Sequence, residues 1–270
     1  MHSAILQSSE IFTALPFTVS HAAAFLPFRK LNLVWSAFII GSMAPDFPYM
    51  IGNIRYRDLG HHFPGLVLFT IPAGLVVLWL FHSVVKGPVV ELMPRGIQTR
   101  LRAHVGEFRF GGARRFVVVL GSLLLGIATH LVWDAFTHRY TWPWFHIHWL
   151  RQRVQIPLVG SVPNVAILQY ASSAVGFLAL AIWVWIWYRD AQPVADTAMP
   201  ASRFPAAVMM FAAAALAGLG RAAFVVGLPS NRGTADLFML NFGVTALALA
   251  FWELVLYCVL VSTRRVPTLD

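Results

Sequence analysis

Long, nearly uncharged apolar blocks recur along the chain, and each is long enough to cross a lipid bilayer. A helix needs about 20 predominantly apolar residues to span the hydrocarbon core. Only 11% of the residues are charged and 58% are hydrophobic, whereas about a quarter of the residues of a soluble domain are charged. The sequence therefore predicts an integral membrane protein that folds as an all-α, polytopic bundle of helices.

We predict six membrane spans within a single membrane domain that occupies residues 1–270. The last two spans form a C-terminal pair within residues 205–263. The first span is the weakest, because Pro45 and Pro48 interrupt its end and proline cannot continue helical hydrogen bonding. In chain order, the predicted spans are residues 31–51, 64–85, 116–137, 165–187, 205–227 and 237–263.

Basic residues are divided unevenly between the two sides of this bundle. Thirteen lysines and arginines fall on the side that holds the 86–115 loop, and six fall on the other side. Because cytoplasmic loops carry the excess of positive charge, we predict that both termini are cytoplasmic. The formal charge of +9 is assigned to orientation and to contact with anionic lipid headgroups, and not to nucleic-acid binding.

The segment THLVWDAFTH, residues 129–138, places His130, Asp134 and His138 at intervals of four residues. Residues four apart share one face of an α-helix, so the three side chains form a stripe about 12 Å long. Neighbours in such a stripe can share one metal ion, but the outer two are too far apart. The stripe predicts two metal ions, or one ion and a catalytic group. A hydrogen-bond network between helices is the structural alternative.

Other histidines and aspartates fall on the same predicted side of the membrane. Asp46 ends the first span, and His61 and His62 immediately precede the second. Ionisable residues at membrane depth usually face the bundle interior and serve a function, which predicts a site for a divalent metal ion. Because Cys258 is the only cysteine, a thiolate site is excluded, and histidine with aspartate favours Zn²⁺, Mn²⁺ or Fe.

Whether His21 reaches this metal site depends on the geometry of the N-terminal segment. His21 precedes the turn at Arg29 and Lys30 by only eight residues, so a straight α-helical hairpin leaves it about 10 Å short of Asp46. His21 joins the site only if the N-terminal segment tilts or re-enters the membrane.

Two ionisable residues are predicted inside the last two spans. Arg221 lies in the fifth span and Glu253 in the sixth, where ionisable groups are candidate functional residues. Counted from the outer ends of the helices, their depths are about 9 Å and about 24 Å, so a direct salt bridge requires shifted boundaries. A polar packing contact, or a side chain that extends to the headgroups, is the alternative.

Four segments carry a resemblance to a known family. They occur in order and at natural spacing, and they read LPFTVSHAAAFLP, SAFIIGSMAPDFPYM, GHHFPGLVLFTIPAGLVVLWLFH and LLLGIATHLVWDAFTH. Over residues 15–187 the chain resembles the bacterial family catalogued as domain of unknown function 4184, with residues 1–14 as an extension ahead of it. The resemblance implies a location in the bacterial cytoplasmic membrane.

The family's pattern of His, PD, GH and HxxxD is similar to that of membrane-bound metal-dependent hydrolases and, more distantly, of zinc-dependent phospholipase C. This similarity implies one or two divalent ions, with zinc the first choice. His62 stands where the hydrolase pattern often has a small hydroxyl residue, which leaves the roles of His61 and His62 open. The positions carried over are His21, Asp46, His61, His130, Asp134 and His138.

The function predicted first is a metal-dependent hydrolase at the outer membrane boundary, acting on a phosphoester, lipid-linked substrates among them. Asp46, His61, His130 and Asp134 are its predicted metal ligands, while His138 and His21 complete a second metal site or provide acid–base catalysis. A carrier for metal ions or protons is the second hypothesis, but it requires polar residues through the full membrane thickness. A non-catalytic scaffold in contact with membrane lipids is the third, and it predicts no bound metal.

Overall fold

A computed structural model of the chain describes residues 18–51, 59–106, 108–157, 160–194 and 200–263. Helices account for almost all of its regular structure, which confirms the predicted all-α bundle. The predicted extension at residues 1–14 lies outside the described residues. So do four of the basic residues that were counted to predict the orientation, namely Arg55, Arg57, Arg264 and Arg265. Five helical segments of the described chain are long and apolar enough to cross a membrane, namely Leu66–Leu92, Ala113–His146, Asn164–Asp190, Phe204–Val226 and Gly233–Ser262.

The chain begins with a 3-10 helix, Thr18–Phe28, followed by the short helix α1, Trp35–Gly41, and a second 3-10 helix, Ala44–Ile51. Helix α2 runs over Leu66–Leu92 and includes two π-helical turns, Leu66–Thr70 and Phe81–Val85. The elements that follow are α3 (Arg95–Leu101), a 3-10 turn (Arg102–His104), α4 (Ala113–Thr137), α5 (Trp142–His146), α6 (His148–Arg151), β1 (Arg153–Ile156), β2 (Gly160–Pro163), α7 (Asn164–Asp190), α8 (Phe204–Val226) and α9 (Arg232–Thr263).

The second to sixth predicted spans correspond to the five long helical segments, but the first predicted span, residues 31–51, is wrong as a single helix. Helix α1 is only seven residues long, and a 3-10 helix follows it. Pro45 and Pro48 lack the N–H groups that a continuing α-helix requires. Between the third and fourth predicted spans, the chain forms an antiparallel hairpin that pairs Val154 with Val162.

The N-terminal segment runs along the bundle in one direction and α1 returns in the other. In the first 3-10 helix, Ser20 O lies next to Gly176 of α7, and the ring of Phe25 lies 5.1 Å from that of Trp183. This helix therefore runs parallel to α7, beside its C-terminal half. The chain then turns at residues 29–34.

Helix α1 lies against α4 with the two backbones in close contact. Val34 N donates to Ser122 Oγ at 3.0 Å, and His130 Nδ1 donates to Ser42 O at 2.8 Å. Both pairs are separated by 88 residues, so the two helices run in the same direction in a fixed register. A Cβ atom on Gly126 would collide with Ser42 N. Glycine at this position therefore allows the contact.

A buried apolar core fixes α1 between α2 and α4. Its members are Ala37, Ala44, Leu78, Val119, Leu123 and Ile127. Helix α9, which pairs with α8, packs on the second 3-10 helix: Trp252 Nε1 donates to Met50 O at 2.8 Å, and Tyr49 is buried with Leu240 and Val244. The two 3-10 helices and α1 are thus enclosed by the long helices, which positions their polar residues.

The described chain begins and ends at opposite ends of the bundle. Thr18 donates to Asp46 near the end of α4, whereas Ser262 donates to Val84 O toward the far end of α2. The predicted placement of both termini in the cytoplasm involves residues 1–17 and 264–270, which lie outside the described residues. That placement stays a prediction.

A candidate metal centre

Four side chains from three separate segments meet near the C-terminal end of α4. His61 Nε2 lies 3.2 Å from His130 Nε2. It also lies 3.6 Å from Asp46 Oδ1 and 3.3 Å from Asp134 Oδ2. His130 Nε2 in turn lies 3.8 Å from Asp46 Oδ1 and 3.3 Å from Asp134 Oδ2. We call these four residues the ligand quartet.

The five distances within the ligand quartet resemble the spacing of ligand atoms around a tetrahedral ion. Zinc bound at roughly 2.1 Å by nitrogen and oxygen atoms keeps neighbouring ligand atoms about 3.4 Å apart. The observed separations run from 3.2 to 3.8 Å, and all but one exceed the usual length of a hydrogen bond. Asp46, His61 and His130, whose ligand atoms all lie within 4.8 Å of one another, can therefore hold one divalent ion, and Asp134 lies beside both histidines as a fourth ligand.

The tautomer of His130 is set by the backbone of α1. His130 is fully buried, and its Nδ1 lies 2.8 Å from Ser42 O. A carbonyl oxygen only accepts, so Nδ1 carries the hydrogen and the Nε2 of a neutral ring presents its lone pair. Metal-binding histidines usually donate their second ring N–H to such a partner. Nε2 is thus prepared to bind a cation between the two carboxylates.

Asp46 is oriented by a neighbouring hydroxyl and by a close backbone contact. Thr18 Oγ1 donates to Asp46 Oδ2 at 2.6 Å, which leaves Oδ1 facing the histidines of the ligand quartet. A Cβ atom on Gly60 would collide with Pro45 O. Because Gly60 precedes His61 and Pro45 precedes Asp46, this backbone contact brings the two ligands together. Thr70 Oγ1 donates to Gly60 O at 3.2 Å and holds the turn.

Two further histidines lie at the other oxygen of Asp134. His21 Nε2 lies 3.4 Å from Asp134 Oδ1, and His138 Nδ1 lies 3.6 Å from the same atom. The ring of His21 stacks on that of His130, with 4.1 Å between the centroids. The predicted shortfall of His21 is absent, because its segment re-enters beside α7 as a 3-10 helix, which rises about 2.0 Å per residue.

His21 is buried and electrically neutral at neutral pH. Its side chain is removed from water, and burial lowers the pKa of its imidazole from 6.5 to about 4. The neutral ring is the form that binds metals. His21 Nδ1 is buried with no hydrogen-bond partner in the described chain, in contrast to the Nδ1 of His130. His21 is therefore a less firmly oriented donor than His130.

The remaining candidate residues lie outside the cluster. His62 is exposed, so of the two neighbouring histidines it is His61 that faces the carboxylates. Arg221 is exposed on α8, and Glu253 lies on α9 with Oε2 buried and unpartnered in the described chain. Among the residues that the structure describes, none of these three pairs with an aspartate or a histidine of the centre.

Sequence reasoning missed Thr18 and the carbonyl group of Ser42. A threonine three residues before a candidate histidine has no spacing that predicts its contact with Asp46. The Ser42 contact depends on a main-chain atom, which leaves no residue-type signal. The pair of glycines at Gly41 and Gly126 is the one available hint, because small residues let membrane helices approach closely.

Comparison with known proteins gives one result. A family model described as "Domain of unknown function (DUF4184)" matches residues 15–259. The match includes Asp134 and the five candidate residues around it, and it extends past residue 187 into the last two spans. No curated protein and no solved structure matches the chain. The similarity to metal-dependent hydrolases stays a prediction.

Proposed function

The chain belongs to the DUF4184 family, whose function is unknown, and we propose that it is a membrane-embedded, metal-dependent hydrolase. The ligand quartet holds a divalent ion, with zinc the first choice. The enzyme lies in the bacterial cytoplasmic membrane with this centre on the outer side, since the opposite end of the bundle carries most of the basic residues. Its substrate is a phosphoester, with lipid-linked phosphoesters included.

The position of His130 Nε2 beside Asp46 Oδ1 and Asp134 Oδ2 is the observation that carries the proposal. The Nδ1 of His130 donates to Ser42 O, and its Nε2 faces two carboxylates that are themselves acceptors. Acceptors that face one another inside a protein need a cation between them, because uncompensated buried charge is costly. One divalent ion balances the charges of Asp46 and Asp134, and the neutral histidines add none.

The exposure of the ligand quartet gives the centre an open side. His130 and Asp46 are closed off from solvent, whereas the side chains of His61 and Asp134 are 17% and 15% exposed. A bound divalent ion supplies Lewis acidity and lowers the pKa of a water molecule toward neutrality. Asp46 and His130 anchor the ion from the buried side, so a substrate approaches past His61 and Asp134.

A scaffold without metal is the second candidate, and the same distances support it. A protonated His130 between Asp46 and Asp134 forms a charged hydrogen-bond network that joins α4 to the second 3-10 helix. Such a network holds helices together and binds no ion. The carrier hypothesis has less support, because Ser122, below the centre, is buried and already bonded to the α1 backbone at Val34.

The metal content of the purified protein separates these functions. We expect stoichiometric zinc or manganese in the full-length protein in mild detergent, measured by inductively coupled plasma mass spectrometry. His130→Ala and Asp134→Ala should lose the ion, while the control His62→Ala, at an exposed neighbouring position, should keep it. Circular dichroism and gel filtration check that each variant is folded. A folded wild-type protein that binds no divalent ion supports the scaffold.

Hydrolysis is tested on the metal-loaded protein with chromogenic phosphomonoester and phosphodiester substrates, both free and attached to a lipid. We expect turnover that needs the ion and is absent in Asp46→Asn. Metal binding without any turnover, together with ion uptake into reconstituted vesicles, would instead support the carrier.

A further inference from the structure

The two carboxylate oxygens of Asp134 face different sets of histidines. Oδ2 lies 3.3 Å from the Nε2 atoms of both His61 and His130. Oδ1 lies 3.4 Å from His21 Nε2 and 3.6 Å from His138 Nδ1. Asp134 therefore stands between the ligand quartet and a second group of donors.

We propose that Asp134 bridges two divalent metal ions, and that the second ion is bound by Asp134 Oδ1, His21 and His138. This inference rests on the proposed function, because the bridging carboxylate must hold the first ion in the ligand quartet. It makes the centre binuclear. It also assigns His21 and His138 as metal ligands instead of as an acid and a base.

A single ion does not use all of these donors. Zinc in proteins is usually four-coordinate, and the ligand quartet already supplies four ligand atoms. His130 has only one lone pair to give, because its Nδ1 donates to Ser42 O. His21, His138 and the second oxygen of Asp134 thus form a separate set. Three protein ligands leave a fourth position for water at the second ion, whereas an ion in the ligand quartet must expand to five-coordinate to bind one.

The stacked rings of His21 and His130 fit the separation of two bridged ions. Their centroids lie 4.1 Å apart and their planes are inclined by 26°, so the two rings run side by side. The Nε2 atom of each ring faces a different oxygen of Asp134. Two-metal hydrolases hold their ions about 3.5–4 Å apart, so each ring can serve one ion of such a pair.

The two ions should differ in affinity. The first site has four ligands, and the ring of His130 and the carboxylate of Asp46 are held by hydrogen bonds. The second has three ligands, and the Nδ1 of His21 has no partner in the described chain. His138 Nδ1 lies 3.2 Å from Asp134 O and 3.3 Å from Thr137 Oγ1, and both contacts favour a hydrogen on that nitrogen. Binding an ion there requires the other tautomer of the ring, in which Nε2 carries the hydrogen. We therefore expect the second ion to bind more weakly and to be removed first.

Manganese(II) titration of the full-length protein in detergent tests this inference. Equilibrium dialysis with metal analysis should give two ions per chain in two affinity classes, and the saturated protein should show the electron paramagnetic resonance signal of a spin-coupled manganese pair. His138→Ala, at the partly exposed edge, and His21→Ala should each bind one ion and lose the coupled signal. The control His146→Ala, at an exposed position, should bind two.

The outcomes distinguish this inference from the proposed function. One uncoupled ion in the wild type, unchanged in His138→Ala, overturns the second site and leaves the ligand quartet intact. Two ions in a folded His138→Ala and in a folded His21→Ala also overturn it. No ion in the wild type overturns both proposals. The wild-type resonance signal needs no variant, so the test does not depend on how well His21→Ala folds.

Discussion

Replacing Gly126 by alanine tests whether the approach of α1 to α4 controls the affinity of the ligand quartet. A Cβ atom on Gly126 would collide first with Phe38 O and would lie 2.7 Å from Ser42 N, whereas ordinary contacts begin at 3.4 Å. Relieving the Ser42 N contact from 2.7 to 3.4 Å moves α1 by at least 0.7 Å, because the contact with Phe38 O is closer still. That shift lengthens the 2.8 Å contact of His130 Nδ1 with Ser42 O to about 3.5 Å, beyond a normal hydrogen bond.

Losing the hydrogen bond that orients a metal-binding histidine weakens metal affinity roughly 10- to 100-fold. That range corresponds to about 1.4 to 2.8 kcal/mol of binding free energy. Gly121 provides a matched control, because it lies on the same helix and a Cβ atom there would meet nothing within 4 Å. Alanine favours a helix interior over glycine by about 1 kcal/mol at either position, so the comparison isolates the steric contact.

The assay is the zinc dissociation constant, measured in detergent by competition with a chromophoric chelator. We expect weaker binding in Gly126→Ala and wild-type binding in Gly121→Ala. Equal affinities in the two variants would refute the reasoning, because the ligand quartet would then not depend on the Ser42 contact. Reduced zinc binding in both variants would show that replacing glycine within α4 is the cause, and not the contact with α1.

Three further predictions use the same measurements. Thr18→Val should weaken zinc binding by about tenfold, because Asp46 Oδ2 loses the donor that orients it, and Thr18→Ser should restore it; equal binding in Thr18→Val and wild type would count against this role. His61→Ala should abolish tight binding, whereas His62→Ala should not, and the reverse pattern would exchange their roles. Removing metal with a chelator should lower the melting temperature, since an ion at 100 times its dissociation constant stabilises the fold by about 2.7 kcal/mol; an unchanged melting temperature would favour the metal-free scaffold.

The long helices could be predicted from the sequence, because an apolar run of sufficient length has few alternatives in a bilayer. The N-terminal segment could not, since Thr18–Phe28 and Ala44–Ile51 form 3-10 helices whose extended rise depends on the neighbours they fit between. The hydropathy of residues 31–51 resembles that of a membrane span, although Pro45 and Pro48 divide the segment.

The candidate ligands were also predicted, because histidines and aspartates placed beside apolar runs are unusual in type and position. Their arrangement was not. The sequence left His61 and His62 open, and the answer depends on the contact of Gly60 with Pro45. It left His21 uncertain, and it did not show which oxygen of Asp134 faces which histidines. Such features belong to the tertiary arrangement of the backbone.

The contact between Trp252 and Met50 has a consequence for biogenesis. The 3-10 helix that carries Asp46 emerges from the ribosome early, but α9, which supports it through this contact, emerges after all the other described helices. In a nascent chain that lacks α9, the 3-10 helix that carries Asp46 does not yet have its contact with Trp252. Ion loading is therefore expected to be a late step in maturation, drawing on the metal pool of whichever compartment the finished centre faces.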